Sequence, residues 1–201
     1  MLAGIPVNLV TGRDDAAKSR FIDRLIAMRP AGARWAVLVN AALAGRSPAS
    51  GNGVYFSEVA EGCICCTAQL PLRVGLTRLL RETEPDRLFI QPSARARTGE
   101  IVRMITDRWF APVLVLRATI HVISRMESQD TPSDEHLAAQ VVVIDDEGVA
   151  KRGQAAMARR LAAQTNASAV MWLSSGDMDS ALLDLPGISP PPRFYPDVPG
   201  T

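Results

Sequence analysis

Short, unbroken apolar runs separated by segments of helical spacing constrain the fold of this chain more than any other feature. Ile5-Pro-Val-Asn-Leu-Val10 ends in Thr11-Gly12, Trp35 to Asn40 forms a second run, and Arg87 to Gln91 a third. Val54 to Val59 reads as extended, Val113 to Ile123 as one broken or two short strands, and Val141 to Ile144 and Ala169 to Leu173 close the series. Runs without polar alternation belong to strands buried on both faces. Between them, Phe21, Ile22, Leu25 and Ile26, then Leu72, Leu76, Leu79 and Leu80, recur at helical spacing. Helices are also predicted over 98–108 and 151–164. Pro71 stands where a first helical turn tolerates proline. Strands alternating with helices predict an α/β fold, a mostly parallel sheet with helices on both faces.

The 201 residues suit one domain over 1–185 and a tail over 186–201, whose six prolines and two glycines predict no core of its own. A formal charge of +1 supplies no electrostatic footprint for nucleic acid or an acidic membrane. Met1 to Val10 lacks the pattern of a signal peptide, and Ala111 to Ile123 is too short and too polar to span a bilayer. The three cysteines lie within four positions, an arrangement unsuited to a disulfide framework, so a reducing, cytoplasmic setting is predicted.

Gly12-Arg13-Asp14-Asp15-Ala16-Ala17-Lys18-Ser19 follows the first strand with the spacing of a phosphate-binding loop. Gly12, Lys18 and Ser19 match that pattern, while Ala17 stands at its second glycine. A Cβ there is expected to cost about 1–2 kcal/mol if the loop needs a left-handed residue. Asp14 and Asp15 add charge of the wrong sign; at 4 Å and an effective dielectric near 20, two unit charges interact by about 4 kcal/mol. Taken alone, the segment also reads as an ordinary strand–loop–helix turn with a solvated Lys and Ser.

Glu61-Gly62-Cys63-Ile64-Cys65-Cys66-Thr67 is the most specific string. Three thiols so close together suit convergence on a soft metal; a turn packed against the core is the alternative. The string resembles the G-C-I-C-C-T segment of the CobW/HypB/UreG group of P-loop GTPases, in the CobW-like branch associated with metal insertion and zinc handling. The resemblance extends to the opening strand through Gly12, to Lys18-Ser19, to Ala36-Val-Leu-Val-Asn40, to the Leu-rich helix at 70–80 and to Asn166-Ala-Ser-Ala169.

That resemblance implies a P-loop NTPase-like fold with a GTP and magnesium site at Gly12, Ala17, Lys18 and Ser19. It also implies zinc on Cys63, Cys65 and Cys66, with Glu58 or Glu61 as a fourth ligand. The departures bear on function. Asn40 is followed by Ala41 rather than Glu, Gln91-Pro92-Ser93-Ala94 replaces the family's E-T-[ST]-G, and Ser124 replaces an Asp. Asp145-Asp146-Glu147-Gly148 stands where guanine is read by N-K-x-D, and the proline-rich tail stands where a second domain is expected. Losses at the acid, the glycine and the base-reading Asp predict impaired GTP and magnesium binding and little hydrolysis.

Three functions stay open: a zinc-binding metallochaperone-like protein, a weak GTPase or ATPase resting on Lys18 and Ser19, and a pseudo-GTPase interaction scaffold. The expected partners are a metalloprotein client or an intact relative of the family, with a homodimer as one way for adjacent Cys65 and Cys66 to share an ion. His121 and His136 are read as structural, and the acidic run at 145–147 as a solvated loop rather than a cation site.

Overall fold

The computed structural model describes residues 4–39, 52–59, 69–94, 96–124, 139–146, 154–175 and 178–187. Its seven strands form one parallel sheet in the order β3-β2-β4-β1-β5-β6-β7. They are β1 (Ile5–Thr11), β2 (Trp35–Val39), β3 (Val54–Glu58), β4 (Arg87–Gln91), β5 (Leu114–Ile123), β6 (Val141–Ile144) and β7 (Ala169–Trp172). The described helices are α1 (Asp15–Ala27), α2 (Gln69–Thr83), α3 (Thr98–Ile105) and α4 (Gln154–Gln164), with short 3-10 turns at Leu173–Ser175 and Ser180–Asp184.

Alternate strand residues sort the core into two faces, as period-two geometry demands. Val10, Trp35, Val37, Val39, Val141 and Val143 pack with Phe21, Ile22 and Leu25 of α1. Val7, Leu9, Ala36, Leu38, Leu88 and Ile90 pack instead with α2 and α3. Val142 and Ile144 meet Leu161 of α4. Burial on both faces is why these strands carry no polar alternation, and it explains why their positions were readable from the runs.

Two elements differ from the sequence expectation. The helix expected over 98–108 stops at Ile105, with Thr106 as its C-cap, and Asp107 organises the turn that follows. The Asp107 carboxylate accepts from the N–H of Trp109 (2.9 Å) and of Phe110 (3.2 Å), and it pairs with Arg73 of α2. Burial works to raise the pKa of Asp107, but the Arg73 hydrogen bond, the two amides and the guanidinium charge outweigh it, so the carboxyl titrates below its ordinary value. A depressed folded-state pKa stabilises the fold above the unfolded value, and that contribution is lost as pH falls through the folded one. Asp107→Asn is expected to cost about 1–3 kcal/mol at neutral pH. It should also flatten the loss of stability on acidification below about pH 5, checked by urea unfolding across pH. A neutral-pH stability equal to wild type would remove this role.

The broken strand is in fact one strand of ten residues with a bulge. Val7 pairs with Leu116 but Leu9 pairs with Thr119, so β5 holds one extra residue opposite Asn8. Asn8 is fully buried, and its Nδ2 donates to Ala118 O (3.0 Å) in the bulge and to Leu183 O (2.8 Å) in the last 3-10 turn. Arg87 donates to Asn8 Oδ1 (2.7 Å) and reaches Asp184 (2.6 Å). Asn8→Ala leaves two carbonyls and a guanidinium N–H inside the protein without this partner. The expected loss is about 2–4 kcal/mol, read by denaturant titration, and a loss below 1 kcal/mol would show the network to be dispensable.

The described residues include no helix long and apolar enough to cross a membrane. Trp35 lies in the core against Phe89, whereas Trp109 is two-thirds exposed.

Candidate functional site: the β1–α1 loop and the carboxyl edge of the sheet

In an open parallel sheet, ligands bind beyond the carboxyl ends of the strands. Here that edge carries the turn from Gly12 to Asp14 after β1, Pro92 and Ser93 after β4, and Asp145 and Asp146 after β6. The chain that holds the cysteines also leaves β3 at this edge, where Val59 N–H donates to Val39 O (2.8 Å). Three strand spacings separate β3 from β1, about 14 Å. Cys63, Cys65, Cys66, Glu61, Asn40, Ala41, His136, Glu147, Gly148 and the tail beyond Gly187 lie outside the described residues.

The turn after β1 is tight. Gly12 has φ +140°, and a Cβ added to it would sit 2.3 Å from Val122 O in β5. Glycine is required here by backbone packing, whatever the loop binds. Only Arg13 and Asp14 separate it from α1, which begins at Asp15. Asp14 is the N-cap, its Oδ1 accepting from Ala16 N–H (2.9 Å) and Ala17 N–H (3.0 Å). A carboxylate at this position also meets the positive end of the helix dipole. Ala17 is therefore an ordinary helical residue, fully buried, without positive φ. The strain expected from its Cβ does not arise, because no left-handed residue is needed there.

Lys18 departs further from expectation. Far from being solvated, it is fully buried. Its Nζ donates to Pro92 O (2.6 Å) and pairs with Asp15 Oδ1 (2.7 Å). Gln91, also buried, directs Nε2 toward Ser19 Oγ (3.4 Å) and Asp15 O (3.5 Å). An amide N–H thus faces the hydroxyl that would serve a magnesium ion, where an acid would have offered an acceptor.

The loop after β6 is similarly engaged. Asp145 is ion-paired with Arg20 of α1. The Asp146 carboxylate accepts from Ser174 N–H (3.0 Å) and from its hydroxyl. Two of the acids read as a solvated run are thus tied to α1 and to the turn after β7. His121 is buried beside Thr11, Nδ1 to Oγ1 2.8 Å, consistent with a structural part. Among the described residues, no three His, Cys, Asp or Glu side chains gather around a common point.

A strand, a tight glycine turn, a helix carrying Lys-Ser, and a seven-stranded parallel sheet with β1 at its centre are the framework of a nucleotide-binding domain. Residues 6–173 match the CobW/HypB/UreG nucleotide-binding domain. The chain belongs to that family. The zinc chaperone YeiR of Escherichia coli (strain K12) is 30% identical over 191 residues, which cover 89% of this chain and 58% of YeiR. The chain thus spans little more than half the length of that curated relative. The Zn(II)-bound YjiA GTPase from E. coli shares the fold with a TM-score of 0.63 at 20% identity, over 96% of this chain and 67% of that one. A Zn(II)-bound triple mutant of YjiA superposes equally well, with a TM-score of 0.63 at 21% identity.

Within this CobW/HypB/UreG domain, the signal for the capping role of Asp14 was present in the sequence. An Asp two residues ahead of Ala16 and just before an amphipathic run is an N-cap signature. The pairing of Lys18 with Pro92 had no such signal, since 74 residues separate them.

Proposed function

We infer that this domain handles zinc through Cys63, Cys65 and Cys66 as a metallochaperone does, and that it binds GTP and magnesium weakly and hydrolyses little. The burial of Lys18 between Asp15 and Pro92 carries the nucleotide half of this reading. The ammonium and the two helix amides that a phosphate would recruit are given to the chain's own oxygens. A nucleotide must displace those oxygens and then sit beside two carboxylates. Each close like-charge contact opposes binding by about 4 kcal/mol at an effective dielectric near 20, and each 1.4 kcal/mol is about tenfold in affinity. A weak GTPase or ATPase would rely on the same Lys18 and Ser19.

The zinc half is supported by the Cys-x-Cys-Cys string, by family membership and by the naming of YeiR as a zinc chaperone. Thiolates are the ligands a soft or borderline cation prefers. Glu58, exposed at the end of β3, is available as a fourth ligand from the same edge. Adjacent Cys65 and Cys66 favour a site shared across a homodimer, and the ion would pass to a metalloprotein client or through an intact family relative. Equilibrium zinc titration of wild type against Cys63→Ser/Cys65→Ser/Cys66→Ser tests this function, and equal affinities would reject it.

A further inference from the structure

A phosphate-binding loop ordinarily waits for its ligand, because its amides and lysine have no other strong acceptor. In this chain the acceptors are built in. Asp14 Oδ1 lies 2.9 and 3.0 Å from the amides of Ala16 and Ala17 at the start of a thirteen-residue helix. Asp15 lies 2.7 Å from the Lys18 ammonium, and Lys18 in turn holds Pro92 O at 2.6 Å. Gln91 adds its amide against Asp15 O and Ser19 Oγ. These contacts join the β1–α1 turn to the connection between β4 and α3. In a nucleotide-driven switch the γ-phosphate makes such a join and hydrolysis releases it.

We propose that Asp14 and Asp15 are an internal substitute for nucleotide phosphate. Asp14 occupies the first helix amides, and Asp15 neutralises the Lys18 ammonium that holds Pro92 O of the β4–α3 connection, so that the domain keeps its locked arrangement without nucleotide. Polyphosphate is excluded by these carboxylates, not by the Cβ of Ala17, which lies in regular helix. This deepens the nucleotide half of the function proposed above and is independent of its zinc half.

The test uses magnesium tripolyphosphate, which carries the phosphates without a base and so leaves the Arg20–Asp145 end aside. Calorimetric titration of wild type and of Ala17→Gly should show no saturable binding up to millimolar. Asp14→Asn/Asp15→Asn should bind at least about tenfold more tightly, for asparagine at 14 caps the helix as well as aspartate and asparagine at 15 keeps the size while removing the charge paired with Lys18. Hydrogen exchange at Ala96, whose amide donates to Ser93 O (3.0 Å) in the β4–α3 connection, supplies the second reading. Tripolyphosphate should leave it unchanged in wild type, Asp15→Asn alone should quicken it, and tripolyphosphate should slow it again in that variant. Should the double variant fail to fold, the two single variants are judged by the same measurements.

Binding gained by Ala17→Gly but not by the Asn variants would overturn the proposal. So would micromolar binding by wild type, or unchanged exchange at Ala96 in Asp15→Asn. Zinc titration of the same samples keeps the two ideas separate: a chain that binds no zinc yet gains tripolyphosphate through the Asn variants refutes the zinc reading alone.

Discussion

Gly12→Ala is expected to lower the thermal midpoint by about 10 °C, the equivalent of about 4 kcal/mol in a domain of this size. Two terms add. At φ +140° an L-residue clashes with its own backbone, where glycine does not. The new methyl would also lie 2.3 Å from Val122 O and 3.3 Å from Val122 C. Those atoms belong to a buried strand hydrogen-bonded on both sides, so neither can retreat without disturbing β1 or β6. Gly4→Ala is the control. Its φ is also positive, at +74°, but no atom lies within 4 Å of the added Cβ. It should cost only about 1–2 kcal/mol, the strain of a single left-handed residue. If the two variants melt together, the close approach to Val122 is not what requires Gly12.

The second large effect concerns zinc. Replacing Cys63, Cys65 and Cys66 by serine should weaken zinc binding by well over a hundredfold, measured by competition with a chromophoric chelator. Loss of a residue that merely orients a metal ligand costs about 10- to 100-fold in affinity, so removal of all three thiolates must cost more. Serine keeps the size and removes the soft donor, since its hydroxyl does not ionise near neutral pH as a metal-bound thiol does. Affinity should also fall with decreasing pH in wild type, because each ligand must lose a proton to bind. Stability in the absence of zinc should change little, which separates ligand loss from unfolding. An unchanged affinity would place any zinc site elsewhere, and the cysteines would then be a packed turn.

Local patterns carried most of the architecture. Trp35–Val39 and Val141–Ile144 were legible as strands because both of their faces are buried, which leaves an unbroken apolar run. Phe21, Ile22 and Leu25 showed the core face of α1 in the same way. The order of motifs along the chain pointed to the family, and Gly12, Lys18 and Ser19 stood at the spacing of a phosphate-binding loop. These are statements about neighbours in sequence, which spacing alone can express.

What tertiary structure decided was which partner each polar group meets. Asn8, one member of the apolar run Ile5–Val10, meets a bulge in β5 and holds a turn 175 residues away. Ala17 looked like a strained replacement for glycine, and the early start of α1 makes it an ordinary helical residue. Asp14 and Asp15 looked like repulsive charges facing a ligand, but they cap and pair with the loop itself. The sequence by itself determined the order of strands and helices, because burial and helical spacing write themselves into local composition. Only the folded chain decided that Lys18 meets Pro92, because a buried ammonium takes whatever acceptors the packing of distant strands brings within reach.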